Sequence, residues 1–499
     1  MSYLLDASAG LIGVVLIWLM LRQKPSAPLP PGPKGWPIVG NLFDMPSSRE
    51  WETFTQWGEK WGDMVFLSVL GQPTLILNSA KVARDLLDKK GHKYSNRPHL
   101  EMCNLIGLNN GLVLTNYGQR FRNHRKLMHQ LIGSNLSMSR FYPIEETETR
   151  KFLKHLASTP QDLASHIRRT AGAIILRISH GYEIQDKDDP IVKIVEIGTA
   201  QFSLASAPGT FIVNLIPALR HLPDWFPGAG FKQTAREWAK DVSNMIERPH
   251  QYVKEQMASG TAEPSFTADL MEAPNVTPER EADIMWSAGS LYAGGADTTV
   301  SALYAFFKAM TIYPEVAAAA QSELDTVLGP ARLPSFADRE NLPYMNALVS
   351  EVLRWHSVAP IGVPHVSTED DNYNGYLVPK GTIVITNIWK MLHDPNVYSN
   401  PMTFNPGRFL GPKPEPDPRE ATYGFGRRIC PGRVLADSSL FISCAMALAT
   451  FNITKYNLNG ETMEPIVDQI SGTISHPTPF KCVIKPRSEK ALALIHGEI

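Results

Sequence analysis

Cys430 stands in an unusual string, Tyr423-Gly424-Phe425-Gly426-Arg427-Arg428-Ile429-Cys430-Pro431-Gly432. Two glycines let such a loop pass close to a flat partner, and Pro431-Gly432 lead into a helix-like run, RVLADSSLFISCAMALA. A cysteine at a helix N-terminus and near arginines has its thiolate stabilised by the helix dipole and by positive charge. A thiolate can ligate iron and push electron density toward O–O cleavage. Taken alone, a cysteine is more often a small buried hydrophobe, so the case rests on the company it keeps. The second constellation is Ala293-Gly294-Gly295-Ala296-Asp297-Thr298-Thr299, in the middle of a long apolar stretch. Each glycine inside a helix costs about 1 kcal/mol relative to alanine. That expense makes sense if the helix bends or lets a ligand approach its backbone. Asp297 and Thr298 supply a carboxylate and a hydroxyl that can relay protons; a helix contact through small residues with a capped polar pair is the plainer alternative.

Two further groups look structural or anion-binding. Glu351 and Arg354 in Glu351-Val352-Leu353-Arg354 share a helix face and can pair. Their apolar neighbours (ALVSEVL, then Trp355) suggest partial burial, where an unpaired charge is costly. In Tyr117-Gly118-Gln119-Arg120-Phe121-Arg122-Asn123-His124-Arg125, the run Arg120, Arg122, Arg125 and Lys126 reads equally as a solvated helix face or as a dock for an acidic electron donor.

The ten-residue cysteine string resembles the haem-binding loop of the cytochrome P450 family, and the Ala293–Thr299 string is similar to that family's oxygen-activation motif. The motifs fall in the family's order from residue 117 to 432, and the stretch from Gly362 to Pro406 also looks like the family's, so the resemblance covers essentially the whole body. It implies haem b with the Cys430 thiolate as axial iron ligand. Phe425, Gly432, Gly294 and Gly295 would lie against the cofactor. Thr298 would hydrogen-bond the bound oxygen, and Asp297 would bring protons from solvent. Glu351 and Arg354 would join Arg408, in Phe404-Asn405-Pro406-Gly407-Arg408-Phe409, in a structural triad behind the haem. Arg125, Arg428 and His365 would reach the haem propionates. The chain departs from the family pattern at three places: Tyr423 replaces Phe, Phe121 replaces Trp, and Gly407 replaces Glu. Phe121 cannot donate a hydrogen bond, so any propionate contact from that position is lost, while Arg125 can still make charge-assisted bonds. The substituted Glu is not the one that pairs, so the triad survives.

The elements that must position these groups follow from the pattern. MVFLSVL and TLILN, split by Gly71-Gln72-Pro73, read as a strand pair, and TIVITNIW as another strand. A helix is expected from about Asp283 to Ile312, ending before Pro314, a second from about Tyr344 to His356, and another after Pro431. The expected fold class is mainly α with small β-sheets, the cytochrome P450 fold, preceded by a single N-terminal transmembrane helix. The organisation reads as an anchor at 1–24, a Pro-rich hinge at 25–40 and a catalytic domain at 41–499. Leu4 to Leu21 is 18 residues and almost wholly apolar, close to the roughly 20 that a spanning helix needs. Arg22 and Lys24 follow it while only Asp6 lies in the N-terminal flank, which puts the catalytic body in the cytosol. A cleaved signal peptide would carry its basic residues before the apolar stretch. The proline run 25–37 (PSAPLPPGPKGWP) cannot be helix and reads as a stiff spacer.

With 499 residues, 43% hydrophobic and 19% charged, the chain is an ordered globular protein. Its net charge of -1 gives no overall field favouring nucleic acid. Four scattered cysteines, Cys103, Cys430, Cys444 and Cys482, form neither a disulfide framework nor a zinc-type pair. No flavin or nicotinamide fingerprint is visible. Electrons would therefore come from a separate protein, which the resemblance identifies as the membrane NADPH–cytochrome P450 reductase. The expected activity is insertion of one atom of O2 into a lipophilic small molecule, by a single-pass protein of the endoplasmic reticulum membrane similar to fungal microsomal members of secondary metabolism. A haem-thiolate desaturase, dehydratase or isomerase is the nearer alternative, and a non-catalytic haem carrier or sensor the farther one. Substrate contacts are expected from Met102–Leu114, Leu291 and Ala293, Val358–Val363 and Ser471–Ile474. The segment 222–231 (LPDWFPGAGF) reads equally as a bilayer-dipping loop or a packed surface loop.

Overall fold

The computed structural model describes residues 27–497 apart from 186, 187, 208, 330, 331 and 459; the expected membrane anchor lies outside the described residues. The architecture is mainly helical. Its long helices are α1 (Glu50–Trp61), α2 (Gln119–Ile132), α3 (Tyr142–Ser158), α4 (Leu163–His180), α5 (Pro190–Ser206), α6 (Phe231–Ser259), α7 (Pro278–Ile312), α8 (Pro314–Leu328), α9 (Pro343–Trp355), α10 (Arg433–Thr450) and α11 (Glu489–His496). Four strands make the largest sheet: β1 (Met64–Val69), β2 (Gln72–Leu77), β3 (His365–Val366) and β6 (Ile383–Thr386), in the order β1-β2-β6-β3. The β1–β2 and β3–β6 pairs are antiparallel, and β2–β6 is parallel. Three two-stranded sheets complete the set: β4 (Asp371–Tyr373) with β5 (Tyr376–Val378), β7 (Phe451–Lys455) with β10 (Cys482–Pro486), and β8 (Asn457–Leu458) with β9 (Glu461–Thr462).

α7 runs through the centre and packs most extensively against α4, then against α2 and α10. It starts five residues earlier than its apolar pattern predicts. Thr277 caps it by accepting from the Arg280 N–H, Pro278 occupies the first turn, and Glu279 and Glu281 complement the dipole. These polar residues carry the helix but not the apolar period, which explains the late expectation. It stops where expected, because Pro314 opens α8. One core cluster gathers Phe152, Phe306, Phe307, Leu348 and Phe441 from α3, α7, α9 and α10. α10 has the length and apolar character of a membrane span, but 72% of it is buried in the fold, so it is a core helix.

Residues 28–35 of the Pro-rich segment take no helical structure, as their prolines require, but from Pro28 onward it is not a free spacer. Pro28 O accepts from Leu377 N (2.8 Å) and Pro31 O from Phe66 N (2.9 Å). A Cβ on Gly32 would sit 1.9 Å from Phe66 O, so the segment lies flush against the sheet. The 222–231 loop leaves Trp225 79% and Phe226 44% exposed, so it is not a packed loop at its tip.

Candidate functional site

Cys430 follows a 3-10 turn, Gly426–Arg428, and precedes α10 by two residues. Its N–H donates to Tyr423 O (2.9 Å), closing the loop on itself. Two glycines shape that loop for different reasons. Both have left-handed backbone, φ +78° at Gly424 and +57° at Gly426. At Gly426 a Cβ would fall 2.0 Å from Leu87 O, so close backbone packing demands glycine; at Gly424 it would meet nothing. Phe425 is buried among Leu86, Leu87, Tyr94 and Ile388 and fixes the loop to the sheet side of the molecule. Gly432 lies in ordinary contact, its would-be Cβ 4.0 Å from the Cys430 sulfur. The electrostatics correct the expectation of a lowered thiol. The Gly432 N–H, Arg125 and Arg433 do favour the thiolate, but burial outweighs them and the Cys430 thiol is raised from its ordinary value. Dipole and arginines alone do not ionise this sulfur.

Three guanidinium groups converge beside the loop. Arg428 donates to Ser95 O (2.7 Å) and Thr115 O (2.7 Å) and stacks over the Phe121 ring, 3.9 Å from its centroid. Phe121 therefore acts as a platform for a cation, a task that needs no hydrogen-bond donor. Arg125 donates to Ile429 O (2.5 Å). Arg97, which no motif pointed to, donates to Val113 O (3.0 Å), Val363 O (2.5 Å) and Pro364 O (2.8 Å). Among the described residues, none of the three has a carboxylate within ion-pair distance. Burial and neighbouring guanidinium charge push them downward: Arg97 by burial and Arg428, Arg125 by burial and Arg433, and Arg428 to about 10 by burial and Arg125. A guanidinium keeps its proton in a protein, so the pressure is felt as instability that an adjacent anion would relieve. The donor set thus fits the two carboxylates of a haem placed over Cys430.

His365 does not join that set as expected. Its Nδ1 lies 2.7 Å from Tyr94 O, a pure acceptor, so Nδ1 carries the ring proton. Burial and the nearby Arg97 and Arg428 hold the ring well below the usual histidine range. The neutral ring leaves Nε2 as an acceptor, with no proton to give a carboxylate. Arg97 takes its place. The basic run on α2 also divides: Arg120 bonds Asn110 and pairs with Asp283 (3.6 Å), Arg122 bonds Gln119, and Arg125 turns inward to the cysteine loop.

On α7 the stretch from Ala293 to Thr299 is at least partly accessible, although the helix is buried on either side of it at Leu291–Tyr292 and at Val300–Leu303. The paired glycines differ in purpose. A Cβ on Gly295 would press to 3.0 Å from the Ile175 side chain of α4, which would have to give way; one on Gly294 would meet nothing within 4 Å. The helix runs unbroken through both glycines. Thr298 Oγ1 donates to Gly294 O (2.7 Å), leaving its lone pairs as acceptors. Asp297 points elsewhere, with Oδ2 3.0 Å from His476 Nε2 and Oδ1 4.0 Å from Arg168 Nη2. α7 and the cysteine loop are tied together by one residue: Leu112 N–H donates to Ser290 Oγ (3.0 Å), and Leu112 O faces Arg428 Nη1 at 3.4 Å.

Glu351 and Arg354 are fully buried, more so than the sequence suggests. Arg354 pairs with Glu351 through two bonds of 2.7 and 2.8 Å, and Arg408 adds one of 3.1 Å. Glu351 also accepts from Asn405 N (2.8 Å). Arg408 finds a second carboxylate in Glu415 (2.7 Å), which sequence reasoning missed. Of the expected substrate segments, Val358 and the tail meet through Ser475 N–H to Val358 O (2.8 Å). Met102, Leu108, Leu112 and Leu291 are packed into a core cluster instead.

Comparison with known proteins matches the cytochrome P450 family model to residues 30–483. The chain is similar to cytochrome P450 monooxygenase 208 of Postia placenta, with 50% identity over 98% of this chain and 97% of the relative. It is 46% identical to cytochrome P450 monooxygenase claR of Ampulloclitocybe clavipes, covering 98% and 92% respectively. With cytochrome P450 monooxygenase CLM2 of Gibberella zeae it shares 40% identity over 98% and 94%.

Proposed function

The chain belongs to the cytochrome P450 family, which binds haem through a cysteine thiolate, and from that premise we propose a haem-thiolate monooxygenase that hydroxylates or epoxidises a lipophilic small molecule. Its electrons come from NADPH–cytochrome P450 reductase. The observation that carries the reading is the set of three guanidinium groups, Arg97, Arg125 and Arg428, converging on the Cys430 loop with their bonds on backbone carbonyls. Buried cations so arranged call for an anionic cofactor beside that sulfur. When bound, haem supplies the activation of oxygen and its insertion into a C–H or C=C bond.

The residues then divide the work. Cys430 would hold the haem iron through its sulfur, and the Gly432 N–H, Arg125 and Arg433 favour the thiolate form that this requires. Arg97, Arg125 and Arg428 would hold the propionates. Glu351, Arg354 and Arg408 fix the chain beneath and take no part in the chemistry. Gly294 leaves room over the site. Thr298, its own proton committed to Gly294 O, offers lone pairs toward the reacting centre, and Asp297 carries protons to it from solvent.

The protein is anchored in the endoplasmic reticulum membrane by residues 4–21 with the catalytic domain cytosolic, and the exposed Trp225 and Phe226 rest at the bilayer surface. The substrate belongs to fungal secondary metabolism, as a terpenoid, polyketide or aromatic/alkaloid compound. The test is Thr298→Ala in the reconstituted enzyme with a turned-over substrate. Oxygen uptake should continue while product falls and peroxide rises. Product formation that stays coupled would remove the proton-relay assignment.

A further inference from the structure

Asp297 and Thr298 are neighbours on one helix, about 100° apart around its axis, so the carboxylate cannot share the hydroxyl's outlook. Asp297 faces a cavity of about 380 Å³ walled by α4, α5 and the tail segment before β10, with Arg168, Glu196, Thr199 and Ser203 on its lining. Two donors compete for it. Arg168 lies 4.0 Å from Oδ1 and 3.9 Å from Glu196, so it stands between two carboxylates without a close bond to either. His476 Nε2, at 3.0 Å from Oδ2, is the hydrogen-bonding partner of the Asp297 side chain. A carboxylate only accepts, so the ring donates.

The tail segment is held without this contact. Asp297, Ser301, Tyr304 and Lys308 recur at helical spacing and form one polar stripe on α7. Ser301 Oγ bonds Ser475 O (2.5 Å), and the Tyr304 hydroxyl meets the Phe480 N–H at 3.3 Å. The Lys308 ammonium spends its donors on Asp468 O (3.2 Å), Thr478 O (3.2 Å) and Thr478 Oγ1 (2.7 Å). Each of these bonds fixes the segment's own groups. The His476 imidazole instead reaches from the tail to Asp297, the stripe's side chain that the relay reading uses.

We propose that His476 is a positioning residue for proton delivery: by donating to Asp297 it holds the carboxylate at the cavity and keeps it from closing an ion pair with Arg168. The inference rests on the relay reading of Asp297 and Thr298 given above.

The test uses the full haem-loaded chain with its reductase, NADPH and oxygen, and no added organic substrate, comparing His476→Ala, His476→Gln and Thr298→Ala. Reduction of oxygen to peroxide uses one NADPH per O2, and reduction to water uses two, so the ratio reads proton delivery directly. His476→Ala should raise peroxide relative to water by about tenfold, a fraction of what a positioned acid or base contributes, and enlarge the solvent deuterium isotope effect. His476→Gln, which can donate from a similar reach, should restore both. Hydrogen–deuterium exchange over 468–480 should be unchanged in His476→Ala, because the Ser301, Tyr304 and Lys308 anchors remain. An unaltered ratio in His476→Ala beside an altered one in Thr298→Ala would overturn this inference and leave the relay standing. Failure of glutamine to restore the ratio, or faster exchange over 468–480, would overturn it in favour of a role in loop structure. Unaltered ratios in both Ala variants would take down the relay and the inference together.

Discussion

Replacing Glu351 with Gln should destabilise the protein by about 4 kcal/mol. The side chain is fully buried and accepts three guanidinium bonds, two from Arg354 and one from Arg408. At about 1.5–3 kcal/mol for each bond to a charged group, the gross loss is roughly 5–9 kcal/mol. Part is offset, because Arg354 keeps Leu392 O, and Arg408 keeps Ser399 O and Glu415. What remains is the cost of breaking a buried pair, about 3–5 kcal/mol, or nearly a thousandfold in the folding equilibrium at about 1.4 kcal/mol per decade. The assay is urea unfolding of the haem-loaded enzyme followed by tryptophan fluorescence, with Asp325→Asn alongside. Asp325 pairs with Arg487 at 2.6 Å, but its side chain is 57% exposed, so that loss should stay within about 1 kcal/mol. If the two variants unfolded within about 1 kcal/mol of each other, burial would not be what gives the Glu351 pair its weight, and the triad's assignment as the site's foundation would fail.

Glu145 gives a pH-dependent prediction: burial between α3 and α10 raises its carboxyl from 4.5 to about 8, with Ser438 and Ser439 bonded to one oxygen. A carboxyl raised on folding binds more protons in the folded state, so its contribution to stability is lost as pH climbs from 4.5 through 8. Glu145→Gln should therefore gain on the parent across that window, by up to about 1.4 kcal/mol per pH unit; parallel stability profiles would refute it. In the cysteine loop, Gly426→Ala should lower haem content and cost well over about 2 kcal/mol, because the Cβ strikes Leu87 O as well as straining φ. Gly424→Ala meets nothing and should cost only the strain, about 1–2 kcal/mol; equal losses would show that packing against Leu87 does not set the loop.

What the sequence made legible was local. The Cys430 loop, the Glu351–Arg354 spacing, the β1–β2 pair and the end of α7 each lie within a few residues of the signal that predicts them. Arg97 and His476 were not legible, because their partners stand far away in the chain, at Val363 and Asp297. Glu415 escaped for a related reason: it meets Arg408 across an irregular loop with no fixed spacing. The paired glycines were seen but not distinguished, since only packing shows that Gly295 lies against Ile175 while Gly294 faces open space. The Cys430 thiol is raised because burial, which no motif states, outweighs the charges that the motif displays, and at His365 burial and the neighbouring arginines act together to keep the ring neutral.

The central claim is that Cys430 holds haem iron as a thiolate. Its most direct test is the carbon monoxide difference spectrum of the reduced, detergent-solubilised protein, taken beside Cys430→Ser. A Soret band red-shifted well beyond that of histidine-ligated haem, present in the parent and absent in the variant, is the predicted result. A folded, haem-loaded parent without that band, or a variant that keeps it, would contradict the account.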